Sequence, residues 1–98
     1  MNLAVSCWQA GWWSRALRID SPNFGERPIH AQIDLLVIHS ISLPPGVYGG
    51  PEIEALFTNQ LESGAHPYFA QIGDMQVSSH FVIRRDGSLL QFVSCNKR

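Results

Sequence analysis

One stretch, Asp34-Leu35-Leu36-Val37-Ile38-His39-Ser40, constrains the fold of this chain more than any other. Its apolar residues run without a break and include β-branched Val37 and Ile38. Such a run predicts a strand buried on both faces, which needs neighbours along its edges and cover above and below. His39 and Ser40 stand at its carboxyl end, and Pro44, Pro45 and Gly46 bar its simple continuation. In open α/β sheets, ligands bind beyond the carboxyl ends of the strands. A histidine delivered there by a rigid strand suits metal binding or proton chemistry. The plainer reading of His39 is a strand-end histidine that only hydrogen-bonds a loop.

At 98 residues the chain holds at most one domain. Charged residues make up only 15% of it, against about 25% in a typical domain. A surface so poor in charge is expected to leave an apolar face for a partner or for further chain. The net charge of −1 argues against nucleic-acid and anionic-membrane partners, since neither is attracted to a near-neutral surface. Cys7 and Cys95 form no CxxC pair and are expected to be free thiols in a reducing cytosol. The N-terminus lacks a basic region and no signal peptide is expected. No apolar run approaches the roughly 20 residues of a membrane span.

Residues 1–30 read as an N-terminal arm. Trp8, Trp12, Trp13, Ala16 and Leu17 recur at helical spacing and predict a short helix around Gly11 to Leu17. The tryptophans are read as core filler or a docking face. Residues 21–28 form a turn-rich loop, and His30 is expected at the surface. A long loop spans Ile41 to Gly50. A helix follows, with Pro51 suited to its first position and Glu52 and Glu54 complementing its positive end. Ile53, Leu56, Phe57 and Leu61 make its apolar stripe, and Asn59 to Gly64 end it. His66, which precedes Pro67, is expected to begin a turn or extended segment, with Tyr68 and Phe69 buried. Residues 72–75 read as a further turn. Gln76 to Val93 alternates as a β-hairpin about Asp86-Gly87, with Arg84 and Arg85 beside the turn. His80 lies mid-strand and requires only a hydrogen-bond partner. The order α-β-loop-α-β-β predicts an α/β (α+β) fold, a mixed β-sheet flanked by helices. At least one sheet face is then uncovered and open to self-association.

The chemistry-bearing residues are few. Neither cysteine has a histidine nearby in sequence, and GxSxG, P-loop and GxGxxG motifs are absent. Four histidines remain, His30, His39, His66 and His80, with no HxxH or HExxH spacing. A zinc centre takes three or four protein ligands. Convergence of His39, His66 and His80 from separate elements is one way to supply them.

Several segments, taken together and in order, resemble a known family. They are Leu35 to Gly46, Gly49-Gly50-Pro51, Ala55-Leu56-Phe57, Ala65-His66-Pro67-Tyr68-Phe69, Val77-Ser78-Ser79-His80, Ile83-Arg84-Arg85-Asp86-Gly87 and Asn96-Lys97-Arg98. From about Trp12 to Arg98 the chain is similar to the cytoplasmic N-acetylmuramoyl-L-alanine amidases that act on anhydro-muropeptides. The resemblance implies a zinc amidohydrolase of bacterial cell-wall recycling. Such an enzyme cleaves the amide between the N-acetylmuramoyl lactyl group and L-alanine of the stem peptide. It implies His39 as a zinc ligand, with Ser40 beside it as a substrate-binding residue; Arg84, one of two arginines whose ordinary place is in solvent, is the candidate to face an anionic substrate. It places residues 31–98 as a partial amidase domain, an incomplete half of that fold, behind the arm of residues 1–30.

The resemblance also carries departures. Family members are nearly twice as long. Their other zinc ligands, a histidine and an aspartate, lie in the half without a counterpart here, as do a catalytic glutamate and a lysine. No catalytic residue is therefore assigned in this chain. Ser40 stands where asparagine is expected, Gln76 where an arginine often sits, and Ser79 where some relatives carry tyrosine. His66 and His80 match family positions without a zinc role. The expectation is a cytoplasmic amidase by descent whose isolated 98 residues do not turn over substrate. The alternative is an inactive remnant or interaction module with the same half-fold.

Overall fold

A computed structural model of the chain describes residues 7–46, 50–62, 64, 66–72 and 74–98. The expected features at Met1–Ser6, at residues 47–49 of the long loop, and at Ser63, Ala65 and Gly73 lie outside the described residues. The elements run in the order β1 (Trp8–Gln9), β2 (Trp12–Trp13), β3 (Leu17–Arg18), α1 (Glu52–Phe57), α2 (Pro67–Ile72), β4 (Phe81–Ile83) and β5 (Leu89–Gln91). A mixed sheet has the order β3-β5-β4, with β3 parallel and β4 antiparallel to the central β5. Among the described residues no helix is long and apolar enough to cross a membrane.

The β4–β5 hairpin forms as its alternation predicts, pairing Phe81 with Gln91, Val82 with Leu90 and Ile83 with Leu89. Its turn is longer than a two-residue reversal. The Gly87 amide donates to the Arg84 carbonyl, the Arg84 amide donates to the Ser88 carbonyl, and Gly87 takes φ +87°. That is a turn followed by a glycine in the left-handed region, a common three-residue hairpin connection. The Asp86 carboxylate accepts from both the Ser88 hydroxyl and the Ser88 amide. Those bonds hold its carboxyl below the usual range.

The sheet buries its two faces differently because successive strand residues point to opposite sides. Leu90 and Phe92 enter the apolar core with Leu43, Leu56, Phe57, Phe69 and Val93. The Phe57 and Phe92 rings meet edge to face at 5.1 Å. Gln91 is fully buried. Its Oε1 accepts the Trp13 amide at 2.7 Å, and its Nε2 donates to the Gly11 carbonyl at 2.8 Å and the Val93 carbonyl at 3.0 Å. A buried amide with partners at both ends welds the N-terminal segment onto the sheet.

Four expectations are corrected. First, no helix spans Gly11 to Leu17. Ala10 (φ 50°) and Gly11 (φ 82°) are both left-handed, and β1 pairs with β2 in a tight hairpin. Two consecutive left-handed residues define the reversal whose twist matches paired strands. Trp8 and Trp13 then stack across the strands at 4.9 Å, and the Arg18 guanidinium lies 3.7 Å over the Trp12 ring. Second, α1 is short, ending at Thr58, with Asn59 left-handed at φ 61° and Leu61 packed beyond the helix. Third, a helix follows His66. Pro67 opens α2, since a first helical position needs no free amide, and the Tyr68 amide donates to His66 Nδ1 at 3.0 Å. Phe69 is buried and Tyr68 half-buried.

The fourth correction concerns the apolar run. Residues 31–40 belong to no strand or helix, and every one is exposed. Leu35, Leu36, Val37 and Ile38 are 76%, 83%, 74% and 89% exposed. A strand buried on both faces needs a ladder neighbour and a covering layer on each side. The sheet formed by the described residues ends at β3 and β4 and supplies neither. The chain rejoins the core at Leu43, with Ile41 packed against it.

The Gly11 geometry is testable. A Cβ at Gly11 would collide with Ser94 Oγ and lie 2.9 Å from the Asn96 amide nitrogen, in a backbone conformation that side chains rarely adopt. Gly11→Ala is expected to cost about 1–3 kcal/mol. Gln91→Ala strands the Trp13 amide and is expected to cost about 1–3 kcal/mol. Urea unfolding followed by tryptophan fluorescence measures both.

Candidate functional site

His39 and Ser40 close the exposed run, immediately before the chain enters the core through Ile41, Ser42 and Leu43. The bend after them is built locally. The Ser42 hydroxyl accepts the Gly46 amide at 2.9 Å, Leu43–Pro44 is cis, and Gly46 takes φ +80°. Both His39 and Ser40 are exposed. Their placement at the mouth of a core-bound loop is the one expected from the residue order. The rigid strand meant to hold them is not formed.

Arg84 sits elsewhere, at the start of the hairpin turn, where its guanidinium pairs with the Glu54 carboxylate of α1. The pair lines a shallow groove with Ile41, Ile53, Val82 and Leu90. Ile41, two residues beyond His39, connects the groove to the exposed run. His39 and Ser40 are not among its lining residues. The structure thus brings Arg84 to the loop that follows His39 but not to His39 itself. Arg84 and Glu54 are both partly exposed, so their pair is worth at most about 1 kcal/mol.

The other histidines have separate surroundings. His80 Nε2 lies 2.8 Å from the Lys97 carbonyl, which requires the proton on that nitrogen. Its own carbonyl accepts the Phe92 amide at 2.8 Å, so His80 links the hairpin to the chain end as a satisfied sheet-edge residue. His66 caps the first turn of α2 and lies beside the Phe69 ring. His30 is exposed with φ 66°. Among the described residues no group of three or more His, Cys, Asp or Glu could hold a metal ion. Convergence of His39, His66 and His80 is therefore overturned: His66 and His80 are engaged in separate local hydrogen bonds, and His39 is exposed. These residues alone do not fit a zinc centre, which takes three or four protein ligands.

Sequence reasoning missed a polar hub at the end of α1. Ser21 Oγ donates to the Phe57 carbonyl at the end of α1. Asn23 Nδ2 donates to Asn59 Oδ1 at 2.7 Å and to the Val77 carbonyl at 2.9 Å. The hub ties the turn-rich loop to α1 and to the approach to β4. Nothing in the local sequence separates these residues from ordinary loop formers, because their partners lie more than 30 positions away.

The histidines are expected to separate by stability. His39→Ala should stay within about 0.5 kcal/mol of the parent, since an exposed residue outside the core loses little. His80→Ala should cost about 1–2 kcal/mol by leaving the Lys97 carbonyl without its donor. Chemical denaturation checks both. Competition against a chromophoric chelator at neutral pH should find no zinc site tighter than micromolar in the chain alone.

Comparison with known proteins supplies the family. A family profile described as N-acetylmuramoyl-L-alanine amidase matches residues 29–98. The chain is 51% identical over 88 residues to a Citrobacter freundii protein named 1,6-anhydro-N-acetylmuramyl-L-alanine amidase AmpD, covering 90% of this chain and 47% of that protein. It is 49% identical over 90 residues to the Escherichia coli K12 protein of the same name, covering 92% of this chain and 49% of the other. A crystal structure of a selenomethionine derivative of AmpD superposes with a TM-score of 0.87 at 50% identity, over 92% of this chain and 50% of that one. The chain spans about half the length of the curated relatives it matches. Its mixed sheet with few helices is a partial amidase fold. On the extent of that match, which takes in His39, the β4–β5 hairpin and both helices, this chain belongs to the N-acetylmuramoyl-L-alanine amidase family.

Proposed function

We propose that this chain supplies the N-terminal part of a zinc amidase of peptidoglycan recycling. Its substrate is a 1,6-anhydro-N-acetylmuramyl peptide, cut at the amide to L-alanine, and its place of action is the cytoplasm. The observation that carries the reading is the identity of about half of all residues with relatives that bear this activity in their names. His39 is the metal ligand contributed by this chain. Ser40, beside it, and Arg84, on the neighbouring groove, bind substrate. Residues 31–98 form the partial amidase domain, and residues 1–30 are the arm, which between Gly11 and Ser21 is hydrogen-bonded to it.

The chain's own residues have limited tasks in this reading. His39 offers an imidazole at the end of an exposed segment, with the loop from Ile41 to Leu43 anchoring that end in the core. The remaining ligands and the acid–base groups come from the part of the fold that this chain does not span. Described residues alone assemble no metal centre. That observation favours a second reading, an inactive interaction module built on the same half-fold.

One experiment separates the two. The chain is joined to the part of the Citrobacter freundii relative that lies beyond the matched region, and the product is assayed on 1,6-anhydro-N-acetylmuramyl-L-alanyl peptide. Release of free peptide by the joined protein, its loss on His39→Ala, and none from the 98-residue chain alone are expected. Ser40→Ala and Arg84→Ala should raise KM with little change in kcat, as for groups that bind ground and transition state alike. An inactive joined protein with intact fold and bound zinc would favour the interaction module.

A further inference from the structure

We propose that the cleft between the tryptophan hairpin and the loop of residues 21–25 is a separate ligand site, which takes a neutral pyranose sugar. A cavity of about 190 Å³ lies there, walled by Trp12 and Phe24 and backed by Phe92 and Val93 of the core. It shares only Phe92 with the groove at Arg84, and neither His39 nor Ser40 lines it. The proposal goes beyond the amidase reading and does not depend on it. The walls of the cleft are held in place by backbone bonds. The Ser21 amide donates to the Phe92 carbonyl at 2.9 Å, and Asn23 Nδ2 donates to the Val77 carbonyl at 2.9 Å. Gly25 exchanges two hydrogen bonds with Arg98, at 2.7 and 3.0 Å. Phe24 therefore stands between two anchored neighbours, yet it is exposed and takes no part in the core. Trp12 is fixed from the other side, by the β1–β2 pairing and by the bond from the adjacent Trp13 amide to buried Gln91. Aromatic walls on a backbone already in position lose little freedom when a ligand enters.

The polar groups of the cleft select the class of ligand. The Arg18 guanidinium lies 3.7 Å over the Trp12 ring and donates through Nε and Nη2 to the two Asp20 carboxylate oxygens. The other guanidinium N–H groups and the second lone pairs of the Asp20 oxygens remain for a ligand. Lys97, which lines the same cavity, donates to both Glu26 carboxylate oxygens at 2.7 Å. Each cation of the cleft thus already holds a carboxylate, so a phosphate or a carboxylate meets no surplus positive charge. A wholly apolar ligand is disfavoured as well, because it strips water from these ions and returns no hydrogen bond. A sugar satisfies both demands. The C–H face of its ring lies against an aromatic side chain, and its hydroxyls accept from the guanidinium and donate to the carboxylate. Apolar walls with a few placed polar groups are the usual make-up of a small-molecule site.

The test is a titration of the nitrogen-15-labelled full chain with N-acetylglucosamine, in the absence of metal, read from backbone amide and indole resonances. Saturable shifts at Trp12, Arg18 and Phe24 are expected, with a Kd of about 1 mM for a ligand of this size. Phe24→Ala and Asp20→Asn, both at exposed positions, should each weaken binding about tenfold while the β4 and β5 resonances stay in place. Trp12→Ala should abolish binding. Met75→Ala, outside the cleft, should leave it unchanged. Absence of saturable shifts up to about 50 mM sugar overturns the proposal, as does binding that the Phe24 and Asp20 variants retain in full. Inorganic phosphate that shifts the same residues at lower concentration than the sugar overturns it in favour of an anion site. Shifts that instead gather at Ile41 and Arg84 also overturn it, since the sugar then occupies the other groove.

Discussion

Gln91 has no exposed surface, and both ends of its side-chain amide are hydrogen-bonded to the backbone of other segments. Through it the central strand reaches back some 80 positions to Gly11 and Trp13. A buried amide left unpaired costs about 1–3 kcal/mol, so the tryptophan hairpin and the sheet hold one another in place. The Ser94 hydroxyl donates to the Ala10 carbonyl at 2.6 Å, and the Cys95 amide donates to the Gly11 carbonyl at 3.0 Å. The tight turn at Ala10-Gly11 is thus clasped by the strand end rather than by its own short ladder. On the opposite face Leu90 and Phe92 carry the apolar core, against which α1 and α2 pack. One strand therefore organises two different kinds of adhesion, polar toward the hairpin and apolar toward the helices.

The run from Ile33 to Ile38 shows the converse case. Its composition is that of a strand at the centre of a sheet, yet it forms none and stands in solvent. Burial is a property of pairs of surfaces, and this run has only one member of the pair among the described residues. The chain's low charge fraction agrees with that state, since apolar surface awaiting cover takes the place of solvated surface. The same vacancy of neighbours isolates His39. An imidazole becomes a strong metal ligand only where other ligands converge on the same point and further groups orient them.

Two elements that local signals specify are present in the structure. Asp86-Gly87 between alternating strands produced the β4–β5 hairpin, and Pro51 with two early glutamates produced the start of α1. Misreadings arose where a local pattern admits two periods. Trp8, Trp12 and Trp13 fit a helical stripe as well as a cross-strand pair, and the left-handed pair Ala10-Gly11 decides between them. His66-Pro67 reads as extended because proline restrains its predecessor, while the same proline is a favoured helix opener. The candidate site was legible as residue types in order, with His39 and Ser40 ahead of a proline-rich bend. The pairing of Arg84 with Glu54 and the bond from His80 to the Lys97 carbonyl were not, because their partners are remote in sequence.

The sequence by itself determined the hairpin turn, the helix start and the family, since each depends on residues within a few positions or on their order. Tertiary structure decided everything that depends on a distant partner. It curled the tryptophans into a hairpin held by Gln91, tied His66 and His80 into separate local hydrogen bonds, and left Leu35 to Ile38 bare. The physical reason is the same in each case. A backbone conformation is selected by nearby sterics, whereas burial and metal coordination require surfaces and ligands that other parts of a fold must bring.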